Sequence, residues 1–173
     1  MKKIRILGID PGYAITGYSI IEYVNGKFYL EKAGAITTHK DTYFPDRLKE
    51  IYEDLEKIIK ENKPDVMSIE ELFFNTNTTT AIKVAQARGV IITLARIHGL
   101  DIAEYTPLQV KQSVCGYGRA DKIQVQKMVK NILKISAVPK LDDVTDSMAL
   151  AICHAHSNFV NSKLKKFGYD IDK

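Results

Sequence analysis

At 173 residues the chain fits one domain able to bury about 70% of its unfolded surface, and its 45% hydrophobic and 27% charged residues are those of an ordinary globular protein. No apolar run is long enough to cross a bilayer, and Met1-Lys2-Lys3 leads into only a few apolar residues before Asp10, so neither a membrane partner nor a signal peptide is expected and cytoplasm is the expected address. A net charge of +4 and a pI near 8.9 permit a nucleic-acid partner without requiring one, while Cys115 and Cys153 lack the spacing of a zinc site or a disulfide framework.

The first expected strand, Ile4 to Ile9, is an apolar run that delivers one carboxylate, Asp10, to its end before Pro11-Gly12 turns the chain. Strands Thr16 to Val24 and Lys27 to Ile36 flank Asn25-Gly26, the dipeptide of a tight hairpin. The period then changes to that of a helix. From Asp46 to Asn62, residues Leu48, Ile51, Tyr52, Leu55, Ile58 and Ile59 share one face, with Asp46 as the expected N-cap and Pro64 as the stop. A strand from Val66 to Glu70 and a polar loop from Asn75 to Thr78 lead into a long helix, Thr79 to His98, closed by Gly99.

Strand Asp101 to Tyr105 and a short helix from Pro107 to Val114 follow, and Gly116-Tyr117-Gly118 breaks the chain. Helices Asp121 to Leu133 and Asp143 to Val160 complete it. The order βββαβαβααα predicts an α/β domain with a mixed five-stranded sheet, its hairpin feeding a partly parallel arrangement and its helices covering both faces. One domain is expected over residues 1–160. Residues 161–173, with Lys163-Leu164-Lys165-Lys166, read as a basic, flexible tail.

Acids recur at the ends of buried elements. Asp10 closes one apolar strand and Glu70-Glu71 closes another, where alternation turns Glu70 inward and Glu71 to solvent. Asp142, Asp143 and Asp146 open the last helix; Asp143 and Asp146 are i and i+3 on one face, and Asp142 pairs with Asp146 at i+4. Acids in a first helical turn ordinarily act as caps. Asp146 lies a turn inside, on a segment continuing Met148-Ala149-Leu150-Ala151-Ile152, where a free carboxylate is out of place. Four such acids on one sheet repel one another unless cations sit between them, and hard divalent ions with oxygen ligands answer that need. A metal-dependent nuclease is the economical reading. His154 and His156, two residues apart on a helix, do not face one site and read as packing or surface residues.

The motifs Gly8-Ile9-Asp10-Pro11-Gly12 with Thr16-Gly17-Tyr18, Ile69-Glu70 with Phe73, Gln86-Ala87-Arg88-Gly89, Gln109-Val110-Lys111-Gln112 and Asp143 through Ala151 together resemble the RuvC-type Holliday junction endonucleases of the ribonuclease H-like superfamily, along almost the whole chain. Actin-like and sugar-kinase ATPases open with a similar Gly-Ile-Asp-x-Gly, but they need two lobes and a second Asp-x-Gly loop that this chain lacks. The resemblance implies a ribonuclease H-like fold in which Asp10, Glu70, Asp143 and Asp146 bind two Mg2+ ions per subunit, with Mn2+ able to substitute. It implies hydrolysis to 5′-phosphate and 3′-hydroxyl ends. Asp142 remains the alternative to Asp143.

Lys111 and Lys122 match basic residues that the family uses near the scissile phosphate. The resemblance further implies a homodimer that cuts a four-way DNA junction by paired symmetric nicks in recombination and repair, working with a branch-migration helicase complex. Phe73, beside a polar loop, is suited to stack on an unpaired base, a contact worth about 1–3 kcal/mol. Tyr117 and Arg119 are further candidates for DNA contact. Apolar residues around the long helix, among them Ile82, Val90, Ile91 and Ile97, exceed what one sheet contact needs and suit a two-fold interface. Two other functions compete: a ribonuclease H-like RNA-processing nuclease, and a non-catalytic junction-binding protein, for which four acids would be needless.

Overall fold

The computed structural model describes residues 3–72 and 78–166, with the side chains of residues 78, 79 and 158–166 outside that description. Strands β1 (Ile4–Asp10), β2 (Ile15–Val24) and β3 (Lys27–Thr37) precede α1 (Phe44–Asn62), β4 (Val66–Glu70), α2 (Thr78–Ile97), β5 (Asp101–Tyr105), α3 (Pro107–Cys115), α4 (Lys122–Leu133) and α5 (Asp142–Lys166). The five strands form one sheet in the order β3-β2-β1-β4-β5. β1, β2 and β3 pair antiparallel, whereas β4 runs parallel to both β1 and β5. This is the mixed α/β architecture expected from the element order.

Local chemistry accounts for the turns. Asn25 and Gly26 both take positive φ, 54° and 80°, as a two-residue hairpin requires. The cap of α1 differs from the expectation: the helix starts at Phe44 with Tyr43 in the cap position and a proline in the first turn. Pro45 presets helical φ one residue early, so Asp46 sits inside the first turn, against the positive dipole end, instead of capping it. Capping boxes open α3 (Thr106 with Gln109) and α4 (Asp121 with Gln124). The last helix runs beyond the expected Val160 to Lys166.

Two cores flank the sheet. On one face Leu7, Ile9, Ile20, Met67 and Ile69 pack against Ile51, Leu55 and Ile59 of α1 and Ile91, Leu94 and Ala95 of α2. On the other, Ile6, Ile21 and Val66 meet Val114, Val125, Val129, Met148 and Ile152 of α3, α4 and α5. Alternation along the strands therefore places Gly8 and Asp10 on the α5 face with Ile6, and Ser68 and Glu70 there with Val66. Across the antiparallel pair, Gly17 lies opposite Asp10, Ser19 opposite Gly8 and Ile21 opposite Ile6.

Side chains on this face thus shrink toward the acids. Large residues at one end give way to Gly8, Gly17, Ser19 and Ser68, and α5 closes the space left. A Cβ on Gly17 would lie 2.0 Å from the Asp143 carbonyl oxygen, and one on Gly8 2.0 Å from that of Ser147. The Ser68 hydroxyl donates to the Leu150 carbonyl at 2.8 Å. The helix crosses β2, β1 and β4 in turn, its backbone resting directly on the strands. Gly8→Ala or Gly17→Ala must push α5 outward, and each is expected to cost about 1–3 kcal/mol, read as a lower urea midpoint; an unchanged midpoint would contradict the backbone contact.

Candidate active site

Ile9 and Ile69 are paired across the parallel β1 and β4 strands, so the next residues, Asp10 and Glu70, end their strands side by side on the α5 face. Asp143 and Asp146 enter from above on the first turns of α5, held there by the contacts at Gly17 and Gly8. A cleft of about 250 Å³ between the β4 end, α3, α4 and α5 is lined by Glu70, Asp146, Lys111 and Lys122, with an apolar floor that includes Val110, Val125 and Leu150. Both lysines named as candidates therefore face the same opening as two of the four acids.

The electrostatics are those of an anionic cluster lacking enough positive charge. The Asp10 carboxyl, ordinarily near 3.8, is pushed up to about 7, first by burial and then by Glu70, Asp146 and Asp143; Lys122 opposes the shift. Burial, then Asp146, raises Glu70. Burial also raises Asp146, against the pull of Lys122 and with further pressure from Asp142 and Asp143. Like charges that disfavour each other's ionisation are what a bound cation would relieve. Among the described residues no three His, Cys, Asp or Glu side chains are drawn into a preformed cation cage.

Lys122 serves as an internal counterion. Its Nζ lies 2.9 Å from Asp142 and 3.8 Å from Asp146, and the hydrogen bond to Asp142 is the main reason its own pKa is raised. Asp142 also accepts from Gln126 Nε2 at 2.9 Å and is half exposed. Asp143, by contrast, is among the acids whose charge reaches Asp10. Sequence spacing left the two open; in the structure Asp142 is the residue engaged with Lys122 and Gln126.

The remaining candidates fall elsewhere. Arg119 and Tyr117 are exposed between α3 and α4, outside the cleft lining. Phe73 lies outside the described residues. His154 and His156 do not enter the site: His154 Nδ1 meets the Tyr105 hydroxyl at 2.9 Å, burial lowers its pKa, and His156 meets Ser113. The hold of Asp142 on Lys122 and the donation of Gln126 to Asp142 carry no sequence signal, since only the packing of α4 on α5 brings these residues together.

Residues 6–154 match the family described as crossover junction endodeoxyribonuclease RuvC. The chain belongs to that family. Members carrying that description from Alkaliphilus metalliredigens and Alkaliphilus oremlandii are 56% and 58% identical, over 92% and 88% of this chain and 98% and 93% of theirs. The solved structure of Thermus thermophilus RuvC in complex with a Holliday junction substrate is similar to this fold with a TM-score of 0.87, at 28% identity, covering 92% of this chain and 97% of that one. The ribonuclease H-like architecture and the endodeoxyribonuclease class expected from the motifs both hold for this RuvC family member.

The raised Asp10 pKa has a sign that can be checked. Without metal the folded state keeps this proton up to about pH 7 while the unfolded chain releases it near 3.8, so its stabilising contribution is complete below the lower value and is lost as pH rises through the upper one. Asp10→Asn, neutral throughout, is expected to melt above the wild type in EDTA at about pH 8, with the difference shrinking toward about pH 4. Equal melting temperatures at the higher pH would contradict the shift.

Proposed function

We propose that this protein resolves Holliday junctions by paired, metal-dependent nicks, with Asp10, Glu70, Asp143 and Asp146 as the cation ligands and Lys111 and Lys122 acting on the DNA phosphate. The observation that carries this reading is the meeting of two adjacent strand-end acids with two acids of α5 beside a cleft that both lysines line. An all-oxygen, carboxylate donor set in which Asp10, Glu70 and Asp146 are held above the usual carboxylate range fits hard divalent ions, and Mg2+, two per subunit, is the proposed cofactor, with Mn2+ as substitute. Bound there, such ions supply a water made nucleophilic near neutral pH and offset charge on the departing 3′ oxygen.

The protein's own groups supply the rest. Glu70 and Asp10, fixed at the ends of neighbouring strands, set the position of the reacting phosphate relative to the sheet. Lys122 is paired to Asp142 and Asp146; a phosphate entering the cleft competes for its ammonium, and Lys111 approaches from α3. Phe73, proposed from the motif, stacks on an unpaired base at the junction, and Arg119 and Tyr117, exposed between α3 and α4, contact the DNA. Residues 161–173 are proposed as a basic tail to the nuclease domain, its first part continuing α5.

A second copy of the chain completes the reading. α2 buries Ala87, Ile91 and Leu94 on the sheet yet leaves Ile82 and Ile97 60% and 65% exposed, and an open apolar groove between α1 and α2 is lined by Leu48, Tyr52, Gly89 and Val90. A two-fold dimer through this face presents two sites to two symmetry-related strands, from which paired nicks follow. A branch-migration helicase is the proposed partner on the junction, and the cytoplasm the proposed compartment; no described helix is long and apolar enough to cross a membrane.

Incubation with a mobile four-way junction, a linear duplex and an RNA–DNA hybrid, with Mg2+ and then with EDTA, tests the activity. Selective, Mg2+-dependent junction nicking is expected, and binding without nicking would remove the enzyme reading. Asp10→Asn should bind the junction and leave it uncut, while Lys111→Ala should lower the nicking rate by about 10²–10³-fold; full turnover in either variant removes that residue from the site. Sedimentation at micromolar concentration is expected to give a dimer for the wild type and a monomer for Val90→Glu. A monomeric wild type would defeat the two-fold arrangement.

A further inference from the structure

The direction of the Glu70 carboxylate depends on a backbone at the very end of a strand, where the ladder stops supporting it. β4 and β5 remain paired through Glu70 opposite Tyr105, and one further bond, from Glu71 N–H to the Tyr105 carbonyl at 2.9 Å, closes the ladder. The Glu70 carbonyl itself points to a different partner. Arg88 of α2 donates to it from Nε at 3.2 Å, while Nη2 of the same guanidinium pairs with Glu104 Oε2 of β5. The Arg88 side chain is only 14% exposed. Its planar fork is thereby anchored at two points, a geometry that the point charge of a lysine cannot reproduce.

We propose that Arg88 is a positioning residue for the reaction: it touches neither phosphate nor cation, but fixes the peptide plane after Glu70, and Glu104 fixes Arg88. The proposal rests on the reading of Glu70 as a cation ligand. Residues that hold a metal ligand in place commonly change affinity or rate by about 10–100-fold when replaced. Among the described residues the ladder ends with the Glu71 bond, and the guanidinium supports the backbone beyond it.

Arg88→Lys and Arg96→Lys make the decisive comparison. Arg96, farther along α2, also ties helix to strand, donating to the Leu100 carbonyl at 2.7 Å and reaching Asp101 at 3.4 Å, but at the end of β5 remote from the acids. Single-turnover junction cleavage across a Mg2+ titration, with junction affinity measured in EDTA, separates positioning from general weakening. Arg88→Lys is expected to bind the junction as the wild type does, to cut about 10–100-fold more slowly, and to need more Mg2+ for half-maximal rate. Arg96→Lys is expected to cut normally. A wild-type rate and Mg2+ dependence in Arg88→Lys, or an equal loss in Arg96→Lys, overturns the proposal. Should Arg88→Lys fail to fold, Glu104→Gln carries the test: a smaller loss of rate with raised Mg2+ demand supports it, and unchanged kinetics overturn it. Glu70→Gln keeps the two levels apart. If that variant still cuts, the reading of Glu70 falls and the role of Arg88 falls with it; if it is inactive while Arg88→Lys is normal, only the positioning role is lost.

Discussion

Direct contact between the backbone of α5 and the sheet at Gly8 and Gly17 is the constraint on which the site depends. Two strand ends can present two acids without help, but the other two belong to a helix, and a helix packed over ordinary side chains stands about 10 Å from its sheet. Removing the side chains under Asp143 and Ser147 brings that helix down until its carbonyls would collide with any Cβ beneath them. The price is visible in the same seam: the hydroxyls of Ser19 and Thr145, both fully buried, find no partner among the described residues. Small polar residues are tolerated there because larger apolar ones would lift the acids apart.

Proximity creates an electrostatic problem that the protein leaves partly unsolved. Burial and mutual repulsion raise Asp10, Glu70 and Asp146 together, and Lys122 compensates from the edge while paired mainly to Asp142. An apolar cleft floor deepens the effect by keeping the surrounding dielectric low. A cluster held in this state favours cations and penalises their absence. Val125 and Ala149 of the core beneath α5 also line the cleft, so the acids stand directly on that core, while the core on the opposite face of the sheet lies away from them. An acidic rim set on a hydrophobic core suits the cation and phosphate binding proposed for it.

Much of this was legible in the sequence, for identifiable reasons. Apolar strands ending on Asp10 and Glu70 announce themselves because a buried run cannot carry a free charge, and the i, i+3 spacing of Asp143 and Asp146 survives folding because helical geometry is local. The family motifs added the lysines. What stayed hidden was tertiary or depended on a neighbour. Asp46 has the chemistry of a cap, but Pro45 starts the helix ahead of it, at Phe44. α5 runs past Val160 to Lys166, consistent with a chain in which Gly168 is the first glycine to follow. Gly17 could be read as a close approach of something, but not of Asp143. Helical spacing likewise does not show that Asp142 pairs with Lys122 and accepts from Gln126, contacts that only the packing of α4 against α5 brings within reach.

The central claim, that four acids from three separate elements form one cation site, is tested most directly by anomalous diffraction from crystals grown with Mn2+. The account predicts manganese density between the Asp10 carboxylate and those of Glu70, Asp143 and Asp146, with Asp142 turned toward Lys122. Density held by Asp142 in place of Asp143, or bound away from Asp10, would contradict it.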